Sequence, residues 1–151
     1  MGLKEQLVED MKAAMKSKET ARLDAIRLLR AAIQRMEVDR TDRKNADFGR
    51  EVTETDLIGV VQKEIKQRRD SIEAFEKGGR TDLADKERAE LAVMEKYLPA
   101  QMSREEIAAA LEPIIAREGK DFRKVMPLAS KEFKGRADGR LVNEVVRELT
   151  A

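Results

Sequence analysis

Neither cysteine nor histidine occurs anywhere in the 151 residues. The first absence removes disulfides, zinc–thiolate sites and thiol nucleophiles. The second removes the usual general base and the commonest metal ligand. Tryptophan is also missing, and aromatics amount to 3% of the chain, one Tyr and four Phe. Stacking of single-stranded bases is therefore a poor fit, and the core has to be built from Leu, Ile, Val, Met and Ala. Neither charge sign dominates. The formal net charge is +1, so attraction to a polyanion must come from local patches. No long apolar run and no signal-peptide pattern is visible, which leads to the expectation of a cytoplasmic protein that does not partner with membranes.

What the chain has in quantity is charge, at 40%, beside 41% hydrophobic residues. That balance suits solvated helices with narrow apolar stripes. Leu3, Leu7, Met11, Ala14 and Met15 fall on one helical face and predict a first helix over about residues 3–17. A polar break follows, with Thr20 as expected N-cap of a second helix striped by Leu23, Ile26, Leu29, Ile33 and Met36. Residues 39–52 are charged and aperiodic and read as the longest loop. Thr53 and Asp56 resemble a capping box opening a third helix, which Gly78-Gly79 ends. Thr81 or Asp82 is the expected cap of a fourth helix, closed before Pro99. Ser103 and Glu106 form a second capping box, for a fifth helix that carries Pro113 and ends at Gly119. Asp121 opens a sixth. Pro127 either kinks that helix or starts it. A seventh runs from about Gly139 to Leu149. No segment alternates as a strand would. The expected fold is all-α: an N-terminal four-helix bundle of two hairpins (residues 1–98), a linker (99–102) and a C-terminal three-helix domain (103–151).

No residue stands out as catalytic. Carboxylates are plentiful but none is singled out as an acid–base pair, and no P-loop, dinucleotide fingerprint or nucleophile elbow is present. No cofactor or metal is expected. Arg68 interrupts an apolar stripe and reads as a part-buried arginine paired to Asp82 or Glu87, with a ligand contact as the alternative. Tyr97 reads as a packing anchor with its hydroxyl at a wet edge. Cations are the remaining signal. Residues 117–140 hold eight Lys or Arg against four acids, and residues 22–44 hold seven against four. Such runs usually just solvate helices. The alternative is phosphate contact with a structured RNA held by shape. The candidates are Arg123, Lys124, Lys131, Lys134, Arg136 and Arg140, with Arg27, Arg30, Lys66 and Arg69 as a secondary basic face. The turn Lys134–Arg140 combines two glycines with three cations. Gly135 is assigned to ending the sixth helix and Asp138 to capping the seventh, which leaves Arg136 and Arg140 for a partner.

Four stretches together resemble the YqeY proteins of the GatB/YqeY family: Lys66-Gln67-Arg68-Arg69-Asp70-Ser71-Ile72, Gly79-Arg80-Thr81-Asp82-Leu83-Ala84, Glu95 to Ser103, and Gly135-Arg136-Ala137-Asp138-Gly139. The likeness runs over essentially the whole chain. It implies an all-helical, two-part fold. It also implies kinship with the C-terminal tail of the B subunit of the glutamine-dependent tRNA amidotransferase, a region associated with holding tRNA. Three functions follow as expectations: a tRNA-binding module that is non-catalytic alone; an adaptor docking on an amidotransferase or synthetase; and a part in a carbon–nitrogen ligase activity with glutamine as amido-N-donor. The kinase-like catalytic domain of that subunit has no counterpart here.

Overall fold

The computed structural model describes residues 2–151, and within them the chain is seven α-helices with no strand. It divides into two compact units, Met1–Leu98 and Pro99–Ala151. The stretch 99–102 expected as a linker lies with the second unit.

The first unit contains α1 (Leu3–Ser17), α2 (Thr20–Asp39), α3 (Glu54–Lys77) and α4 (Thr81–Glu95). The apolar stripes meet in one cluster, with Leu7, Ile26, Leu29, Val61 and Met94 fully enclosed. Each such side chain contributes about 1.5–3 kcal/mol by leaving water. The two Thr caps are not where expected. Thr20 and Thr81 are the first helical residues, and Glu19 and Arg80 take the N-cap positions without a side-chain cap bond. Both preceding residues are committed to ion pairs instead, Glu19 with Arg22 at 3.0 Å and Arg80 with Asp82 at 3.1 Å. The Thr53–Asp56 capping box does form, with both of its reciprocal hydrogen bonds.

The long loop before α3 is tied down by one side chain. Arg40, just past α2, donates to the carbonyls of Arg50 and Glu51 at 3.3 and 3.1 Å and pairs with Asp56 at 3.4 Å. The Arg40 carbonyl accepts from the Gly49 amide at 2.9 Å. Replacing Arg40 with alanine leaves the Arg50 and Glu51 carbonyls with water as their only donor. Amides of residues 41–52 are expected to exchange at least about tenfold faster in hydrogen-exchange mass spectrometry, while those of α2 and α3 keep their protection.

Tyr97 packs on the edge of this core and its hydroxyl donates to the Asp10 carboxylate at 2.6 Å. Burial first, and that bond second, hold the phenol well above its ordinary pKa, so it stays a donor at neutral pH. Gln6 and Arg22 also reach Asp10. This polar cluster fastens α1 to the end of α4. Tyr97→Phe removes a charge-assisted bond and should cost about 1.5–3 kcal/mol, read as a lowered midpoint in urea with an unchanged slope.

The second unit contains α5 (Arg104–Glu118), α6 (Phe122–Glu132) and α7 (Gly139–Thr150), packed pairwise. Its core centres on Ile107, Leu111, Val125, Phe133, Val145 and Val146. Ser103 and Glu106 complete the second capping box, and Asp121 and Asp138 cap α6 and α7. Pro127 stays inside α6, which begins five residues before it. The proline is exposed, so its ring meets solvent and the loss is one helical hydrogen bond. Pro113 is tolerated in α5 in the same exposed manner.

Candidate nucleic-acid interface

The interface candidate is built on α6. At about 100° per residue, Val125, Ala129 and Phe122 face the core, and Arg123, Lys124 and Lys131 share the opposite side within an arc of about 100°. Lys124 and Lys131 lie about 20° apart on that side, roughly one above the other two turns along. All three are exposed. Asp121 is spent as the N-cap, accepting from the Arg123 amide at 2.9 Å, so it sits at the start of the face and not within it.

The turn after α6 extends this surface. Phe133 is buried, and its carbonyl accepts from the amides of Arg136 and Ala137 at 2.8 and 3.1 Å. Gly135 is buried too, at φ +79°, a conformation that disfavours any residue with a Cβ. Its carbonyl accepts from Gln101 Nε2 at 3.2 Å, and the Arg136 carbonyl accepts from the Met102 amide at 2.8 Å. The stretch Gln101–Met102 thus holds the turn by its backbone, and Lys134 and Arg136 point outward as exposed side chains. Arg123, Lys124, Lys131, Lys134 and Arg136 form no salt bridge among the described residues.

The other candidates stand on other elements. Arg140 belongs to the first turn of α7, on the side that carries Glu144, Arg147 and Glu148. That side is largely neutralised within the unit. Arg104 from α5 bridges Glu144 and Glu148, each at 2.8 Å, and Arg147 lies over the Phe122 ring at 4.7 Å. The four residues of the secondary basic face divide between two helices. Lys66 and Arg69 stand on an outer side of α3 shared with Asp70 and Glu73, and Arg69 pairs with Glu95 at 3.5 Å. Arg27 and Arg30 are on α2, lining a groove against α1.

Arg68 is structural. Its Nε lies 3.3 Å from carboxylates of Glu87 and Glu90, and Nη2 lies 3.5 Å from Glu64. Of the two acids expected, Glu87 is a partner, while Asp82 is taken by Arg80. Glu64 and Glu90 are the buried charged residues of the core region; Glu64, four residues before Arg68, is the acid-first i,i+4 partner that spacing along α3 offers and it does pair, whereas nothing in the sequence singles out Glu90. Their burial depends on the register of α3 against α4. One guanidinium therefore faces three carboxylates, with Arg68 Nε and Glu87 Oε2 in ion-pair range but making no hydrogen bond, and Arg35 reaches the outer oxygen of Glu64 at 3.5 Å. Burial, and then the charge of Glu87, push the Glu90 carboxyl above its ordinary range. Among the described residues no group of three or more His, Cys, Asp or Glu could hold a metal ion, and no helix is long and apolar enough to cross a membrane.

Fold and surface together define an all-helical, two-unit protein that carries an unneutralised cationic face on α6. The family model for Yqey-like proteins matches residues 4–150, and the chain belongs to the YqeY family. Several curated relatives share the name "Altered inheritance of mitochondria protein 41, mitochondrial". The protein of Eremothecium gossypii is 34% identical over 124 residues, 81% of this chain and 63% of its own length. That of Kluyveromyces lactis is 36% identical, covering 72% of this chain and 56% of its own. That of Pyrenophora tritici-repentis is 32% identical, covering 95% and 78%. The chain thus spans about half to two thirds of the first of these relatives' lengths.

Proposed function

We propose that the second unit binds tRNA through its sugar–phosphate backbone and carries no catalysis by itself. The observation that supports this reading is the outer face of α6 with the turn that follows. Five exposed cations stand there without a carboxylate partner, whereas Arg68, Arg80, Arg88 and Arg104 are all paired within the protein. The kinship with the tRNA amidotransferase tail implied by the sequence motifs agrees with it. A helix face and a rigid turn suit a folded RNA read by shape, since no row of rings is available for stacking.

The test is a titration of the full chain with unmodified tRNA at several salt concentrations. A log–log plot falling steeply with salt supports the reading, because each phosphate contact releases counterions. Affinity that does not change with salt overturns it. A ligase role with glutamine as amido-N-donor predicts transamidation of charged tRNA by the purified chain alone, and a blank assay is expected. An adaptor role on an amidotransferase or synthetase is the second reading. It predicts partners that survive RNase treatment. A cytoplasmic location belongs to the same proposal. The relatives' names say mitochondrial of those proteins, and cell fractionation decides the compartment here.

A further inference from the structure

We propose that the groove between α1 and α2 in the first unit docks an acidic amphipathic helix of a partner protein. The groove has a volume of about 690 Å³ and runs between the start of α1 and the part of α2 from Arg27 onward. Its floor is Leu7 and Ile33, both buried, and its apolar walls are Val8, Ala31 and Val38, the last 59% exposed. Arg27, Arg30, Ala31, Gln34 and Val38 follow one another along α2 at helical spacing over about 16 Å, the length of three turns. A helix laid in such a groove is anchored by residues at i, i+3 or i+4, and i+7.

Charge selects the occupant. The acid on the rim, Glu37, is already paired with Lys4 at 3.0 Å. Arg27 has no carboxylate within salt-bridge distance, and Arg30 rests an Nη on the Met11 sulfur at 3.0 Å, a weak acceptor that leaves its charge uncompensated. One end of the groove is therefore cationic, and the remainder is an apolar floor and walls bordered by Gln34, Thr41 and the mutually neutralised Lys4–Glu37 pair. A helix with leucine-like anchors and flanking carboxylates fills both requirements. RNA would leave Val8, Ala31 and Val38 without an apolar partner. A second copy meeting the groove about a twofold axis would set the arginines against their own counterparts.

The experiment uses the full chain and a fluorescein-labelled, helix-stapled peptide of about 16 residues, with leucine along one face and glutamate on both flanks. Its anisotropy is expected to saturate in the tens of micromolar at about 150 mM salt, and a lysine-for-glutamate version should bind at least about tenfold more weakly. Arg27→Glu/Arg30→Glu and, separately, Val38→Asp should each cost at least about tenfold, with thermal midpoints checked to be unchanged. Lys124→Ala/Lys131→Ala should leave peptide binding as it was, which separates this site from the RNA face. No saturation below about 1 mM, equal binding of the two peptides, or insensitivity to the groove variants overturns the proposal. So does tighter, Arg27-dependent binding of tRNA or of phosphatidylglycerol vesicles than of the peptide.

Discussion

Arg68→Met is expected to destabilise the first unit by about 3–5 kcal/mol, the usual cost of removing one partner of a buried ion pair. For a unit of this size that corresponds to a fall in melting temperature of about 10 °C or more, taking about 4–8 °C per kcal/mol. The reason is the imbalance around it. Glu64 and Glu90 are 5% and 6% exposed, and Glu87, with its side chain 22% exposed, closes the same cluster, so the substitution leaves two buried carboxylates and a part-exposed third facing one another. Arg35 reaches only the outer oxygen of Glu64 and is itself mostly exposed, so it cannot take over. The Glu90 carboxyl already has a raised pKa with Arg68 present. A folded-state pKa above the unfolded value means that protonation favours the fold. The associated penalty is absent at low pH and sets in as pH rises through the unfolded and then the folded pKa. Arg68→Met should therefore lose less stability near pH 4.5 than at pH 7.5, measured by urea unfolding at the two pH values. Glu90→Gln in the wild-type background removes the most strained of the three charges and should raise stability at pH 7.5, or leave it unchanged, while flattening its pH dependence. If Arg68→Met unfolds in urea as the wild type does at pH 7.5, the cluster is wetter than its burial implies and the imbalance does not govern stability.

The Arg68 cluster also marks the limit of what the sequence discloses. Apolar periodicity is enough for all seven helices, because each buries one stripe and its ends carry local signals. Thr53 with Asp56, Ser103 with Glu106, Asp121 and Asp138 are caps that operate within one turn, and all four form. Thr20 and Thr81 fail as caps because a cap requires an extended backbone at that residue, and here the turn sets the helix one residue earlier. Spacing along α3 offers Glu64 to Arg68 at i,i+4, but neither its burial nor that of Glu90 shows in the sequence. Only the register of α3 against α4 buries them, and register is a tertiary property. The basic residues divide for a related reason. Spacing alone puts Arg123, Lys124 and Lys131 on one side of α6. Grouping Lys66 and Arg69 with Arg27 and Arg30 requires two helices to present one surface, which periodicity within either helix does not reach. The groove beside Arg27 leaves no trace in the sequence, since it depends on how much of α2 is left uncovered by α1.

The α6 face makes the second strong prediction. The triple substitution Lys124→Ala/Lys131→Ala/Arg136→Ala should weaken tRNA binding at least about tenfold near 100 mM salt, and it should reduce the slope of log affinity against log salt by about 2 to 3, close to one for each phosphate no longer neutralised. None of the three has a carboxylate partner within the protein, so stability should change by less than about 0.5 kcal/mol each. That separation of binding from folding is what makes the test sharp. The matched control is Arg27→Ala/Lys66→Ala/Arg69→Ala, which removes the same number of positive charges. If general attraction to a positively charged chain were responsible, both triples would shift the salt slope equally, since long-range fields sum over all charges. If phosphates sit on α6 and its turn, only the first triple changes it. The turn offers a further check through Gly135, whose buried left-handed backbone sets the path of Lys134 and Arg136. Gly135→Ala keeps every cation but strains that backbone, by about 1 kcal/mol or more. It should reduce affinity while leaving the salt slope nearer the wild-type value than the alanine triple does, because the charges remain and only their placement is disturbed.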